Sequence, residues 1–158
     1  VGVGTTFKIY VPATSQPGSL ITGPEVVVDT FGTETILLVE DEPDVRRLAL
    51  LALTRCGYTV LEAADGTEAM RILEDRDGRV DLVVTDLIMP RMGGRALVEA
   101  AAARFAGIKV LYTSGYTDDA VIRHGLLQAE LAFLLKPYTP IMLLRKIRDV
   151  LDRGPVDA

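Results

Sequence analysis

Ile36-Leu37-Leu38-Val39-Glu40-Asp41-Glu42-Pro43 runs from four apolar residues directly into three acids and a proline. The apolar run reads as a strand buried on both faces. Pro43 reads as the first turn of a following helix, where a missing N–H costs nothing, with Asp44 favouring the positive helix end. The same arrangement recurs down the chain. Thr85-Asp86 follows Val80 to Val84, Thr113-Ser114 follows Val110-Leu111-Tyr112, and Lys136-Pro137 follows Phe133-Leu134-Leu135. If these runs are parallel strands, their carboxyl ends share one edge of a sheet, where open α/β folds place their chemistry.

Strands are expected over 35–39, 58–62, 80–85, 108–113 and 132–135, all rich in Val, Ile, Leu, Tyr or Phe. Helical patterns lie between them. Val45, Leu48, Ala49, Ala52, Leu53 and Cys56 recur as one helix face, with Gly57 as its stop. Ala69, Ile72 and Leu73 give a second face, residues 95–105 a third helix after Gly93-Gly94, and residues 117–127 a fourth. Residues 140–152 give a fifth, with Ile141, Leu144, Ile147 and Leu151 on one side. Strict βα alternation predicts a parallel sheet covered by helices on both faces.

The 158 residues suit one domain plus an appendage, and 49% hydrophobic with 25% charged residues is a globular composition. A net charge of −5 speaks against a nucleic-acid surface. No apolar run reaches the roughly 20 residues of a membrane span, and the first residues have no basic-then-apolar leader. A single cysteine, Cys56, excludes an intrachain disulfide and fits a cytoplasmic setting. Residues 1–34 differ from the rest, and the domain boundary is expected near residue 33. Phe7-Lys8-Ile9-Tyr10-Val11-Pro12 reads as one strand, and Ala13 to Pro24, rich in Thr, Ser, Gly and Pro, as a linker. The expected division is 1–12, a linker over 13–33, a domain over 34–152 and a tail over 153–158.

Glu40, Asp41 and Asp86 close together would repel by about 4 kcal/mol per pair at 4 Å and an effective dielectric of 20. A hard cation such as Mg2+ removes that cost. Acids ending a strand can instead cap the next helix, a role open to Glu42 and Asp44. Asp86, flanked by apolar runs and followed by Met89-Pro90, is the candidate nucleophile: a carboxylate can attack phosphorus and form an acyl phosphate. Lys136 can offset phosphoryl charge and Thr113 can donate a hydrogen bond to it. His124, the only histidine, sits in a polar helix and reads as a surface residue. Cys56 reads as core, and Gly93-Gly94, without a G-x-x-x-x-G-K-[ST] motif, as a turn.

Taken together, Ile36 to Pro43, Thr85 to Gly94 (Thr-Asp-Leu-Ile-Met-Pro-Arg-Met-Gly-Gly), Thr113-Ser114-Gly115-Tyr116 and Lys136-Pro137 resemble a response-regulator receiver domain over about 34–152. The resemblance implies a flavodoxin-like (βα)5 fold with strand order 2-1-3-4-5. It also implies Asp86 as phosphoacceptor, an acidic pair Glu40 and Asp41 supporting Mg2+, and Ile88 lending the metal a backbone carbonyl. Thr113 takes the place of the switch hydroxyl, Phe133 of the switch aromatic and Lys136 of the phosphate-facing lysine, whose bond to Pro137 is expected to be cis. Glu40 stands where Asp is commoner, so it is expected to reach the metal through water.

Val3 to Pro12 resembles the last glycine box and final strand of a histidine-kinase ATP-binding domain. The implied whole is a hybrid sensor histidine kinase, whose partners are a histidine-kinase domain or a histidine-phosphotransfer protein docking near the helix after Pro43, besides a weak dimer. The fragment itself is expected to be no enzyme beyond catalysing its own phosphorylation. Only Asp152 to Ala158 follow the last helix, so output is expected by onward transfer or by regulation of the parent kinase. Two rival readings stand beside this one. A Mg2+-dependent phosphohydrolase with an Asp nucleophile would need a second acid two residues on, where Ile88 stands. The other is an interaction module that is never phosphorylated.

Overall fold

A computed structural model describes residues 30–115 and 132–153, together with Gly4 and Lys8. The helix expected over 117–127, His124, the strand expected over 7–12 and residues 154–158 lie outside the described residues. Five strands, β1 (Thr35–Val39), β2 (Thr59–Ala63), β3 (Leu82–Asp86), β4 (Lys109–Ser114) and β5 (Ala132–Leu135), form one sheet in the order β2-β1-β3-β4-β5. All four pairings are parallel. The helices described are α1 (Pro43–Arg55), α2 (Gly66–Asp75), α3 (Gly94–Ala102) and α4 (Pro140–Asp152).

Alternation along the strands builds two cores. Ile36, Leu38, Leu82, Val84, Leu111 and Leu134 face α1 and α4, meeting Ala49, Leu53, Leu143, Leu144 and Ile147. Leu37, Val39, Val83 and Ala63 face α2 and α3, meeting Ala69, Leu73, Leu97 and Ala101. Residues of β1 and β3 are thus buried on both sides, which is why their runs are continuously apolar.

The helix starts follow from local chemistry. Pro43 opens α1, and Glu42 takes the cap position without a side-chain hydrogen bond. Asp65 caps α2 by accepting from Thr67 N and Glu68 N, and Thr139 caps α4 by accepting from Met142 N. Beyond α1, Gly57 adopts φ +90° and donates to Thr54 O at 3.1 Å, closing the helix as its position suggests. Cys56 is half-buried at the rim of the core rather than within it.

β1 and β5 have the expected bounds, and the edges of β2, β3 and β4 differ from expectation by one or two residues. β3 pairs from Leu82, because the Asp81 carboxylate accepts from Thr35 N at 2.7 Å ahead of the ladder. Two helix faces also differ. Leu48 is 65% exposed and Ile141 59% exposed, so α1 and α4 each carry an apolar edge beyond what the sheet covers.

The lower edge of the sheet, opposite the strands' carboxyl ends, is tied by polar contacts. Gly32 N donates to Cys56 O and Thr59 N to Glu34 O, each at 3.0 Å. Arg148 bonds Glu34 at 2.7 Å and holds its carboxyl below the ordinary value. Lys109 Nζ donates to the carbonyls of Leu151 and Arg153 at 2.5 and 2.6 Å, closing the end of α4.

Candidate functional site

Every residue singled out for chemistry falls at the opposite, carboxyl edge of the sheet. Glu40 and Asp41 follow β1, Asp86 ends β3, Thr113 lies in β4, and Lys136 follows β5. Asp86 pairs with Thr113 in the parallel register, and Leu87 N donates to Thr113 O at 3.1 Å. Glu40, Asp86 and Thr113 are buried, at 3%, 8% and 2% exposure, whereas Asp41 opens to solvent. A carboxylate oxygen from each of Glu40, Asp41 and Asp86 lies within 4.8 Å of the others. Such a set of hard oxygen donors, with one side wet, fits Mg2+, which keeps several waters.

Lys136 supplies the counter-charge. Its Nζ donates to Asp86 Oδ2 at 2.5 Å and to Glu40 Oε2 at 2.7 Å. Burial pushes the Lys136 ammonium down, but the bonds to Asp86 and Glu40 outweigh it and the net shift is upward. Glu40 is pushed up, because burial outweighs the pull of Lys136 and Asp86 adds like charge. The Lys136-Pro137 bond is cis, as the resemblance implied, and Lys136 N donates to Ser114 O at 2.7 Å.

The loop after Asp86 is drawn in tightly. Ile88 N donates to Asp86 Oδ1 at 3.3 Å, and Gly94 N to Leu87 O at 3.1 Å. A Cβ on Gly94 would overlap the Asp86 carbonyl, so only glycine lets α3 begin there. Phe133 lies half-buried on the face opposite α1 and α4, stacked on Tyr112 with ring centroids 5.2 Å apart.

Three neighbours were not singled out in the sequence. Tyr138 follows the cis proline, and burial, with Glu40 nearby, raises its hydroxyl to about 12. Arg46 donates to Glu40 O at 2.5 Å and pairs with Glu62 at 3.7 Å. Asp65, buried beside the site edge, pairs with Arg91. The pattern Asp65-x-x-Glu68 ahead of an apolar face was a legible capping signal; its tie to Arg91 was not.

A doubly wound parallel sheet with acids, hydroxyl and lysine converging on its carboxyl edge defines a phosphoacceptor class of signalling domain. The chain belongs to the response regulator receiver domain family, which it matches over residues 36–148, and is a receiver domain of two-component signal transduction. It is 38% identical to the sensor kinase CckA of Brucella abortus over 97% of its own length but 17% of that kinase. It is 32% identical to a chemotaxis protein CheY homolog of Campylobacter jejuni, covering 75% of this chain and 93% of that protein. Among solved structures, the receiver domain of the hybrid histidine kinase CckA superposes with a TM-score of 0.64 at 34% identity, over 75% of this chain and 99% of that one. The chain therefore spans about a sixth of its kinase relative and nearly all of its single-domain one.

Proposed function

We propose that Asp86 is the phosphoacceptor and that a phosphohistidine is the donor. An Asp86 oxygen bonds to phosphorus while the phosphorus–nitrogen bond breaks; the imidazole keeps the electron pair and takes a proton from solvent. The observation that carries this reading is Lys136 Nζ bridging Asp86 and Glu40 at hydrogen-bond distance beside a third carboxylate, Asp41. Asp41, Asp86 and the Ile88 carbonyl would hold Mg2+ directly and Glu40 through water. When bound, the cation neutralises charge on the carboxylates and the incoming phosphoryl oxygens. Lys136 orients Asp86 and takes up phosphoryl charge, and the Thr113 hydroxyl, one strand over, donates to a phosphoryl oxygen. Movement of Thr113 toward that oxygen leaves space for Phe133 to turn inward, which reshapes the β4–β5 face.

Labelling with acetyl phosphate, read by mass spectrometry, tests the chemistry. One phosphoryl adduct is expected with Mg2+ and none with EDTA; an EDTA-insensitive adduct would remove the metal from the reading. Beryllofluoride must shift the Phe133 ring resonances, and an unchanged ring would remove the switch.

The donor's docking face is the groove of about 620 Å3 lined by Val45, Leu48, Ala52, Tyr138, Pro140 and Leu143, with Lys136 and Pro137 at one end. Leu48 in its lining is exposed apolar surface, and Ile141 and Met142 are exposed in the first turn of α4, which also supplies Pro140 and Leu143 to the lining. An amphipathic helix carrying the phosphohistidine suits such a groove. Leu48→Glu is expected to slow transfer from a phosphohistidine protein at least about tenfold, as a charge in an apolar contact does, while acetyl phosphate labelling stays unchanged. Equal losses with both donors would place Leu48 in the chemistry instead.

The match to the CckA kinase covers 97% of the chain, so it takes in most of the segment before residue 34. This supports reading residues 1–12 as the end of a kinase ATP-binding domain, and the whole as part of a hybrid sensor histidine kinase acting in the cytoplasm. The receiver then takes the phosphoryl group from its own kinase and passes it to a phosphotransfer protein.

A further inference from the structure

The loop joining β3 to α3 is held at both ends but not by the same means. Leu87 and Met89 are buried, at 6% and 8% exposure, and Gly94 N closes onto Leu87 O. Within the returning arm, Pro90 to Met92, Met92 N donates to Pro90 O at 2.7 Å and the half-buried Met92 side chain packs on the core, while Pro90 and Arg91 are exposed. The polar contacts that tie the arm to another element come from the start of α2. Gly66 N donates to Met92 O at 3.0 Å, and a Cβ on Gly66 would meet that oxygen at 2.7 Å. Arg91 pairs with Asp65 Oδ2, while Asp65 Oδ1 accepts from Thr67 N and Glu68 N.

Two features set Arg91 apart. Its φ is +64°, a left-handed conformation that a side chain with a Cβ holds only when its surroundings enforce it. Its partner is 2% exposed although Arg91 itself is largely solvated. Asp65 needs no arginine for its own satisfaction, since a helix N-terminus already stabilises a carboxylate there. What the pair adds is a fixed position for the loop.

We propose that Asp65 and Arg91 are positioning residues for the phosphoacceptor loop: the pair clips the returning arm to α2 and so fixes Ile88 next to Asp86. This rests on the proposed reading of Ile88 as a metal ligand. Ile88 is itself 59% exposed, so its side chain contributes little hold, and besides the long bond from its N–H to Asp86 Oδ1 at 3.3 Å its placement depends on the arms on either side.

The test uses the full chain and four variants. Arg91→Gly removes the pair and also relieves the left-handed backbone. Arg91→Lys keeps a charge in reach of Asp65. Asp65→Asn keeps the helix cap, since Asn caps as well as Asp, but discards the carboxylate charge. The fourth variant combines Arg91→Gly with Asp65→Asn. Mg2+ affinity is read from amide shifts at residues 86–88, and loop order from hydrogen exchange at residues 88–92 without metal. Arg91→Gly and Asp65→Asn are each expected to weaken Mg2+ binding about tenfold, the usual scale for an outer-shell partner, and to speed loop exchange. Arg91→Lys should restore most of both, and the double variant should match the singles. Thermal midpoints should stay close to wild type, because Arg91→Gly gains what the backbone had stored. Unchanged exchange at residues 88–92 would overturn the proposal whether or not Mg2+ binds. Where the wild type binds Mg2+, an unchanged affinity in Arg91→Gly and Asp65→Asn would overturn the proposal too. A wild type that binds no Mg2+ would instead sink the metal reading, leaving hydrogen exchange to judge the clip.

Discussion

Asp86→Asn is expected to abolish phosphoryl labelling and to leave the domain melting at or above the wild-type midpoint. The amide has almost the shape of the carboxylate but is a poor nucleophile, so the acyl phosphate cannot form. Stability does not fall because Asp86 shares Lys136 with Glu40 and stands within 4.8 Å of two other carboxylate oxygens. Removing one of three like charges relieves repulsion, and Lys136 keeps Glu40 as a partner. Mass spectrometry after acetyl phosphate treatment, paired with a thermal scan without metal, checks both halves. An adduct retained in the variant moves the acceptor elsewhere. A midpoint well below wild type means that Asp86 is needed for folding and is not merely tolerated by it.

Lys136→Met has the opposite signature: a large loss of stability together with slow labelling. Two largely buried carboxylates lose their shared cation, and breaking a buried pair from one side costs about 3 kcal/mol, or a midpoint lower by roughly 10 °C in a domain of this size. The pH dependence has a definite sign. Burial already raises Glu40 above the ordinary 4.5, and loss of Lys136 raises it further. A raised carboxyl favours folding when protonated, below its unfolded value, and loses that contribution as pH rises through the folded one. The deficit of Lys136→Met against wild type is therefore largest near neutral pH and shrinks toward pH 4. Mg2+ also shrinks it, because carboxylates that have lost Lys136 hold the cation more tightly than in the wild type, and tenfold tighter binding returns about 1.4 kcal/mol at saturating metal. Thermal scans at two pH values, with and without Mg2+, decide; a deficit independent of both would assign Lys136 a packing role.

The sheet was legible because its central strands are apolar on both faces, which leaves few alternatives for Ile36 to Val39 or Leu82 to Val84. The assembly of Glu40, Asp41, Asp86, Thr113 and Lys136 was legible for a related reason. A parallel strand delivers its carboxyl end to a known edge, so position along the chain becomes position in space. What escaped depended on contacts that no period encodes. Helical spacing placed Leu48 and Ile141 on apolar faces without telling that the sheet covers only part of each face. Asp65 signalled a helix cap, but its meeting with Arg91 requires two loops to be folded first. Arg148 and Glu34 are 114 residues apart, and nothing in either neighbourhood points to the other.

That last bond, with Lys109 closing the end of α4, brings the strand where the domain begins and the helix where it ends to one pole of the molecule. Asp86, the proposed acceptor, sits at the other pole, beyond the five residues of β1, about 17 Å away. A tether fastened there acts as a pivot, and the reactive end sweeps an arc at that radius. Chain attached at that pole and a molecule approaching the carboxyl edge of the sheet therefore meet opposite ends of the domain, and neither takes the other's surface.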